Sequence, residues 1–123
     1  GAVLVCGGLQ GIMTAAARGA KEAGGQTMGI LPGPSIHQAN PYIDFPVATN
    51  MGHARNAIIA QTAEVLVAVG GGYGTLSEMA LALKMGRKVV ALLTRFQVPE
   101  VHRAQNPKEA VEKALSLIND EEP

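Results

Sequence analysis

The sequence contains a single cysteine among 123 residues and no tryptophan, and aromatic residues make up only 3% of it. One thiol cannot build a disulfide framework or a multi-cysteine metal site, and it fits a reducing, cytoplasmic compartment. An excess of either charge is also missing. Ten Lys and Arg balance ten Asp and Glu, and no basic run offers the stripe that tracks a nucleic-acid backbone. His, Asp and Glu do not cluster at metal-ligand spacing, so no metal site is expected. The apolar runs are of strand length, far short of the roughly 20 residues that cross a bilayer. Neither nucleic acid nor membrane is therefore an expected partner.

What the chain has is 47% hydrophobic residues and 15 glycines, enough for one buried core with close helix–strand packing. Its length sets the expectation of a single domain over residues 1–123. Strand-length apolar runs alternate with helical periodicity, the βαβ pattern of a parallel sheet. Strands are expected at Val3–Cys6, Thr27–Leu31, Phe45–Thr49, Glu64–Val69 and Lys88–Leu93, and helices at Gly11–Ala23, Asn50–Thr62 and Leu76–Met85. Asn106-Pro107 opens a last amphipathic helix with Ala110, Ala114, Leu117 and Ile118 on one face. Thr94–Gln105 reads as irregular, and the Pro-rich segment 33–44 as a lid whose Asn40, Tyr42 and Asp44 face a ligand. The fold class is α/β: a Rossmann-like open parallel sheet with helices on both faces. Gly1-Ala2 leads straight into a buried-strand pattern, as the end of a preceding helix would, so an upstream first strand and helix are expected.

Two glycine-rich turns lie where a strand feeds a helix. One is Gly7-Gly8-Leu9-Gln10-Gly11-Ile12-Met13; the other is Gly70-Gly71-Gly72-Tyr73-Gly74-Thr75-Leu76-Ser77-Glu78. Glycine lets backbone N–H groups approach a ligand closely, and the following helix presents unpaired N–H groups and its positive dipole end. Both turns thus point to phosphate. A dinucleotide fingerprint needs a leading glycine where Cys6 stands, and an acid about 20 residues on that is absent. A P-loop needs a lysine, which Gly74-Thr75-Leu76 lacks, and no Gly-x-Ser-x-Gly elbow occurs. Thr75-Leu76-Ser77-Glu78 also reads as a capping box, with a purely structural Glu78. Arg55 falls in the early turns of its helix, where the dipole disfavours a cation and an anionic partner is expected. Tyr73, an aromatic at the loop tip, is placed either to stack on a base or pterin or to pack on its neighbours.

These motifs resemble those of a known family. Gly71-Gly72-Tyr73-Gly74-Thr75-x-x-Glu78 is similar to the P-G-G-x-G-T-x-x-E motif of the LOG family of cytokinin-activating phosphoribohydrolases. His53-Ala54-Arg55-Asn56 stands where that family has H-E-R-K, and Arg55 precedes the motif by the family's interval. Gly7, Gly8, Gly11 and Met13 match its first glycine-rich turn. Gly70 replaces the family's proline, Ala54 its glutamate and Asn56 its lysine. These departures, with Gly19–Gly25 and Gly29–Pro34, resemble a sister branch that includes molybdenum-cofactor carrier proteins.

The resemblance implies a hydrolase that cleaves the N-glycosidic bond of a nucleoside 5′-monophosphate. Arg55 and Glu78 would be catalytic, with the phosphate held by Gly71, Gly72, Tyr73, Gly74 and Thr75 and the ligand also touching Gly7, Gly8, Gly11 and Met13. No cofactor is then required, and a homodimer or dimer of dimers is implied. The alternative is a carrier that binds molybdenum cofactor, or another phosphorylated small molecule, without converting it.

Overall fold

The computed structural model describes residues 1–120, which divide into two compact units, one over Gly1–Ile59 and one beginning at Ala60. In the first unit, β1 (Val3–Cys6), β2 (Gln26–Leu31) and β3 (Phe45–Ala48) form a parallel sheet in that order. Val5 lies opposite Met28, and Gly29 opposite Pro46. Helix α1 (Ile12–Glu22) packs on β1 and β2. It ends in a left-handed residue, Gly24 (φ 80°), where two carbonyls are closed by Gly24 N–H to Lys21 O and Gly25 N–H to Ala20 O. Leu31, Ala17 and Thr27 are fully buried.

The second unit repeats the plan with β4 (Val65–Val69), β5 (Lys88–Leu92) and β6 (His102–Ala104), again parallel and in chain order. Helix α3 (Tyr73–Lys84) connects β4 to β5, and α4 (Pro107–Asp120) follows β6. Alternation along the strands supplies two apolar faces. Val90 and Leu92 form a cluster with Ala104 and with Ala110 and Ala114 of α4, flanked by Val65 and Leu117. On the opposite face, Leu66, Ala68, Val89 and Ala91 are buried as well, and α3 packs on β4 and β5. Burying a valine or leucine side chain contributes about 1.5–3 kcal/mol, which makes these faces the main source of the unit's cohesion. Both units thus show the parallel α/β, Rossmann-like plan expected from the sequence. β1 and β4 are each the edge strand of their own sheet.

Strand β6 lies inside the stretch expected to be irregular. Parallel neighbours normally need a crossover of about a dozen residues or more, usually helical. Here β6 has only three residues and begins opposite Val90, partway along β5. The return path is short, and a non-helical loop covers it.

Segment 33–44 is not the lid expected. Asn40 is buried, receives the Tyr42 N–H at its Oδ1 (3.0 Å) and donates through Nδ2 to Leu9 O (2.9 Å), and its backbone N–H bonds Gly8 O (2.8 Å). Asp44 Oδ2 accepts from Lys21 Nζ (2.8 Å) and from the Thr27 N–H (3.0 Å). Thr27 Oγ1 donates to Tyr42 O (2.6 Å). The polar groups that suggested a ligand contact instead fasten this segment to β2 and brace the first glycine-rich turn.

Candidate functional site

The second glycine-rich turn begins with a backbone reversal. Gly70 has φ 81°, and its N–H bonds Leu92 O at 3.0 Å, tying the end of β4 to the end of β5. Gly72 then serves as the N-cap of α3, its carbonyl accepting from the Leu76 N–H at 3.1 Å. Helix α3 therefore starts at Tyr73, three residues earlier than expected. This overturns the capping box, because Thr75 is the third helical residue and Glu78 sits in the second turn. The reversal at Gly70 and the extended backbone of Gly72 (φ −83°, ψ 166°) let the helix begin at once. No side chain caps α3, and its first turn holds no acid. The N–H groups of Tyr73, Gly74 and Thr75 have no intrahelical acceptor and share the positive end of the helix dipole. A helix start of this kind suits an anion. A Cβ built on Gly72 meets nothing within 4 Å, so there is open space at the N-cap.

The loop after β5 completes this site with residues that sequence reasoning missed. Arg95 Nε donates to Gly71 O at 3.1 Å, and its guanidinium carbon lies 4.8 Å from the Phe96 ring centre and 5.5 Å from that of Tyr73. The two rings are 5.9 Å apart and tilted by 42°. The available signal was positional. In a parallel sheet the loop leaving β5 emerges beside the turn leaving β4, so Arg95-Phe96 was bound to neighbour Gly70–Gly72.

In the first unit the structure brings together Gly7, Met13 and Arg55. A Cβ on Gly7 would stand 2.6 Å from both Arg55 Nη2 and Met13 Sδ, so glycine here lets the guanidinium and the thioether lie on the backbone. Arg55 is the first residue of α2 (Arg55–Thr62), as the dipole argument required. Its Nη1 donates to Oδ1 of buried Asn56, while Nε is buried without a hydrogen-bond partner. Gly8 is buried, 3.2 Å from Gly29 Cα and 2.8 Å from Leu31 Cδ2 if given a Cβ. Its place is against β2. Gly11 is exposed and caps α1.

With the geometry in place, comparison with known proteins gives the family. A family model described as the SLOG cluster4 family matches residues 1–122. The chain belongs to the SLOG cluster4 family. An uncharacterized protein of Archaeoglobus fulgidus is 45% identical over 94% of this chain and 76% of its own length. Among solved structures, the molybdenum cofactor binding protein from the phototrophic bacterium Rippkaea orientalis superposes with TM-score 0.88 at 37% identity, over 94% of this chain and 77% of that one. The molybdenum cofactor carrier protein of Chlamydomonas reinhardtii gives TM-score 0.86 at 40% identity, over 97% and 79%. The LOG-like resemblance, and the branch containing such carriers, are thereby confirmed.

Membership gives physical sense to two departures from the LOG motifs. Proline is fixed near φ −65° and lacks an N–H, so it fits neither the φ of 81° at Gly70 nor the bond from Gly70 to Leu92. This SLOG cluster4 turn is therefore built differently from a P-G-G turn. Asn56, where the LOG motif has lysine, is 3% exposed and holds the Arg55 guanidinium, a structural task in place of a cationic one. Among the described residues no helix is long and apolar enough to cross a membrane.

Proposed function

We propose that this protein is a carrier for molybdenum cofactor, binding the phosphate of its cargo at the opening of α3 and releasing the cargo unchanged. The observation that carries this is the free start of α3: a glycine N-cap, no capping side chain, no acid in the first turn and open space at Gly72. A phosphate monoester fits such a cradle, since its oxygens accept charge-assisted hydrogen bonds from the Tyr73, Gly74 and Thr75 N–H groups. The cofactor's pterin has a flat aminopyrimidinone ring of the kind that stacks on an aromatic side chain, and Tyr73 is exposed. Similarity to a cofactor-binding and a cofactor-carrier protein at 37% and 40% identity supports the same cargo. Arg55, whose Nη2 lies against Gly7, offers a cationic contact to an anionic group of a ligand in the first unit.

The LOG-like hydrolase is the competing function, and it depends on Arg55 and Glu78 occupying the family's positions. One pair of measurements separates them. The protein is incubated with AMP and the mixture chromatographed for free adenine; in parallel it is mixed with molybdenum cofactor and passed through a desalting column. A carrier releases no adenine and retains molybdenum. Steady release of adenine that Glu78→Gln lowers by about a hundredfold or more would establish the hydrolase instead.

A further inference from the structure

The geometry points to Tyr73, Arg95 and Phe96 as a preorganised platform that selects ligands carrying a planar fused heterocycle next to their phosphate. It builds on the phosphate cradle proposed above and adds the part that distinguishes one phosphorylated molecule from another. Tyr73 is the first residue of α3 and is 76% exposed, so its own N–H belongs to the cradle while its ring stands at the rim. The guanidinium of Arg95 lies against both the Tyr73 and Phe96 rings and is pinned by its Nε bond to Gly71 O. Cation and rings together form one cation–π cluster bordering the proposed anion site, and aromatic and guanidinium groups of this kind stack nucleobases regardless of sequence.

The loop bearing Arg95 and Phe96 is held in place before any ligand arrives. Arg103 on β6 donates to the carbonyls of Thr94 and Phe96, and the Phe96 N–H bonds Oγ1 of Thr94, itself buried (9% exposed). Fixing the loop in advance removes an ordering cost from binding. It also gives β6, the short strand that sequence reading missed, a role as the support of the platform. A ring stacked here would have its phosphate within reach of the Tyr73, Gly74 and Thr75 N–H groups, because one residue, Tyr73, belongs to both.

The test compares two probes by NMR titration: neopterin monophosphate, which has the fused ring, and glycerol 3-phosphate, which does not. Tyr73→Ala and Phe96→Leu are each expected to weaken neopterin monophosphate by about tenfold while leaving glycerol 3-phosphate within about twofold of wild type. A purely structural role for the cluster would not distinguish the probes, so equal losses for both, or no loss for either, would overturn the platform. Gly72→Val separates this from failure of the cradle. If it leaves both probes unaffected the cradle is wrong, whatever the aromatic variants do. If wild type binds neither probe, cradle and platform both fall.

Discussion

At Gly70 the backbone stands at φ 81°, and this one angle distinguishes the chain's turn from the proline-led version of the same motif. Gly70→Pro should therefore do more than alter a ligand contact. It forces φ to the opposite sign and deletes the bond to Leu92 O, costing well over about 1 kcal/mol. A thermal midpoint equal to wild type would contradict the turn described here. A second residue-scale expectation concerns Asp44. The hydrogen bond from Lys21, followed by that from the Thr27 N–H, holds its carboxyl below the ordinary value of 3.8, against a smaller opposing effect of burial. A folded-state pKa lower than the unfolded one gives stability that is present above the unfolded value and lost as pH falls through the folded one. Asp44→Asn should consequently flatten the acid limb of the stability profile below about pH 3.8 and leave its neutral-pH slope alone. Urea midpoints between neutral and strongly acid pH check this, and parallel profiles for variant and wild type would contradict it.

At the scale of elements, the sequence showed the order of strands and helices well and their starting points less well. Val65–Val69 was legible because a continuous apolar run between turn signals is the pattern of a parallel-sheet strand, although Val67 on one face is exposed. The last helix was legible for its cap. Asn106 Oδ1 accepts the Glu109 N–H at 2.8 Å, with Pro107 as the first helical residue. Asn106→Ala should cost about 1 kcal/mol, with Asn106→Ser recovering most of it, as read from denaturant midpoints. Helix α3 misled because Thr75 and Glu78 have capping-box spacing, yet Gly72 already caps the helix at a position where glycine carries no side-chain signal. The residues 50–54 misled in a related way. Instead of a helix running from Asn50, a short 3₁₀ turn at Gly52–Ala54 precedes α2. Thr49 Oγ1 meanwhile donates to Leu31 O and accepts from the Met51 N–H. Strand β6, three residues long, is too short to show any periodicity.

For the whole molecule, the glycine-rich turns and the place of Arg55 at a helix start were legible because tight strand-to-helix turns restrict residue types locally. Arg95, Phe96 and Arg103 were not, because they matter only through the pairing of β4 with β5 and β5 with β6. Asn40, Tyr42 and Asp44 looked available for a ligand for the same reason: their partners lie far away in sequence. The central claim, that the open start of α3 holds the cargo, is tested most directly at Gly72. Its φ and ψ suit any residue, and added atoms meet nothing within 4 Å, so a valine there obstructs the cradle while costing the fold only about 1 kcal/mol as a poorer cap. The measurement is molybdenum retained per folded chain after gel filtration of protein mixed with molybdenum cofactor, for wild type and Gly72→Val. Stoichiometric retention by wild type and its loss in a folded Gly72→Val chain is the predicted result; equal retention by both, or none by wild type, would contradict the account.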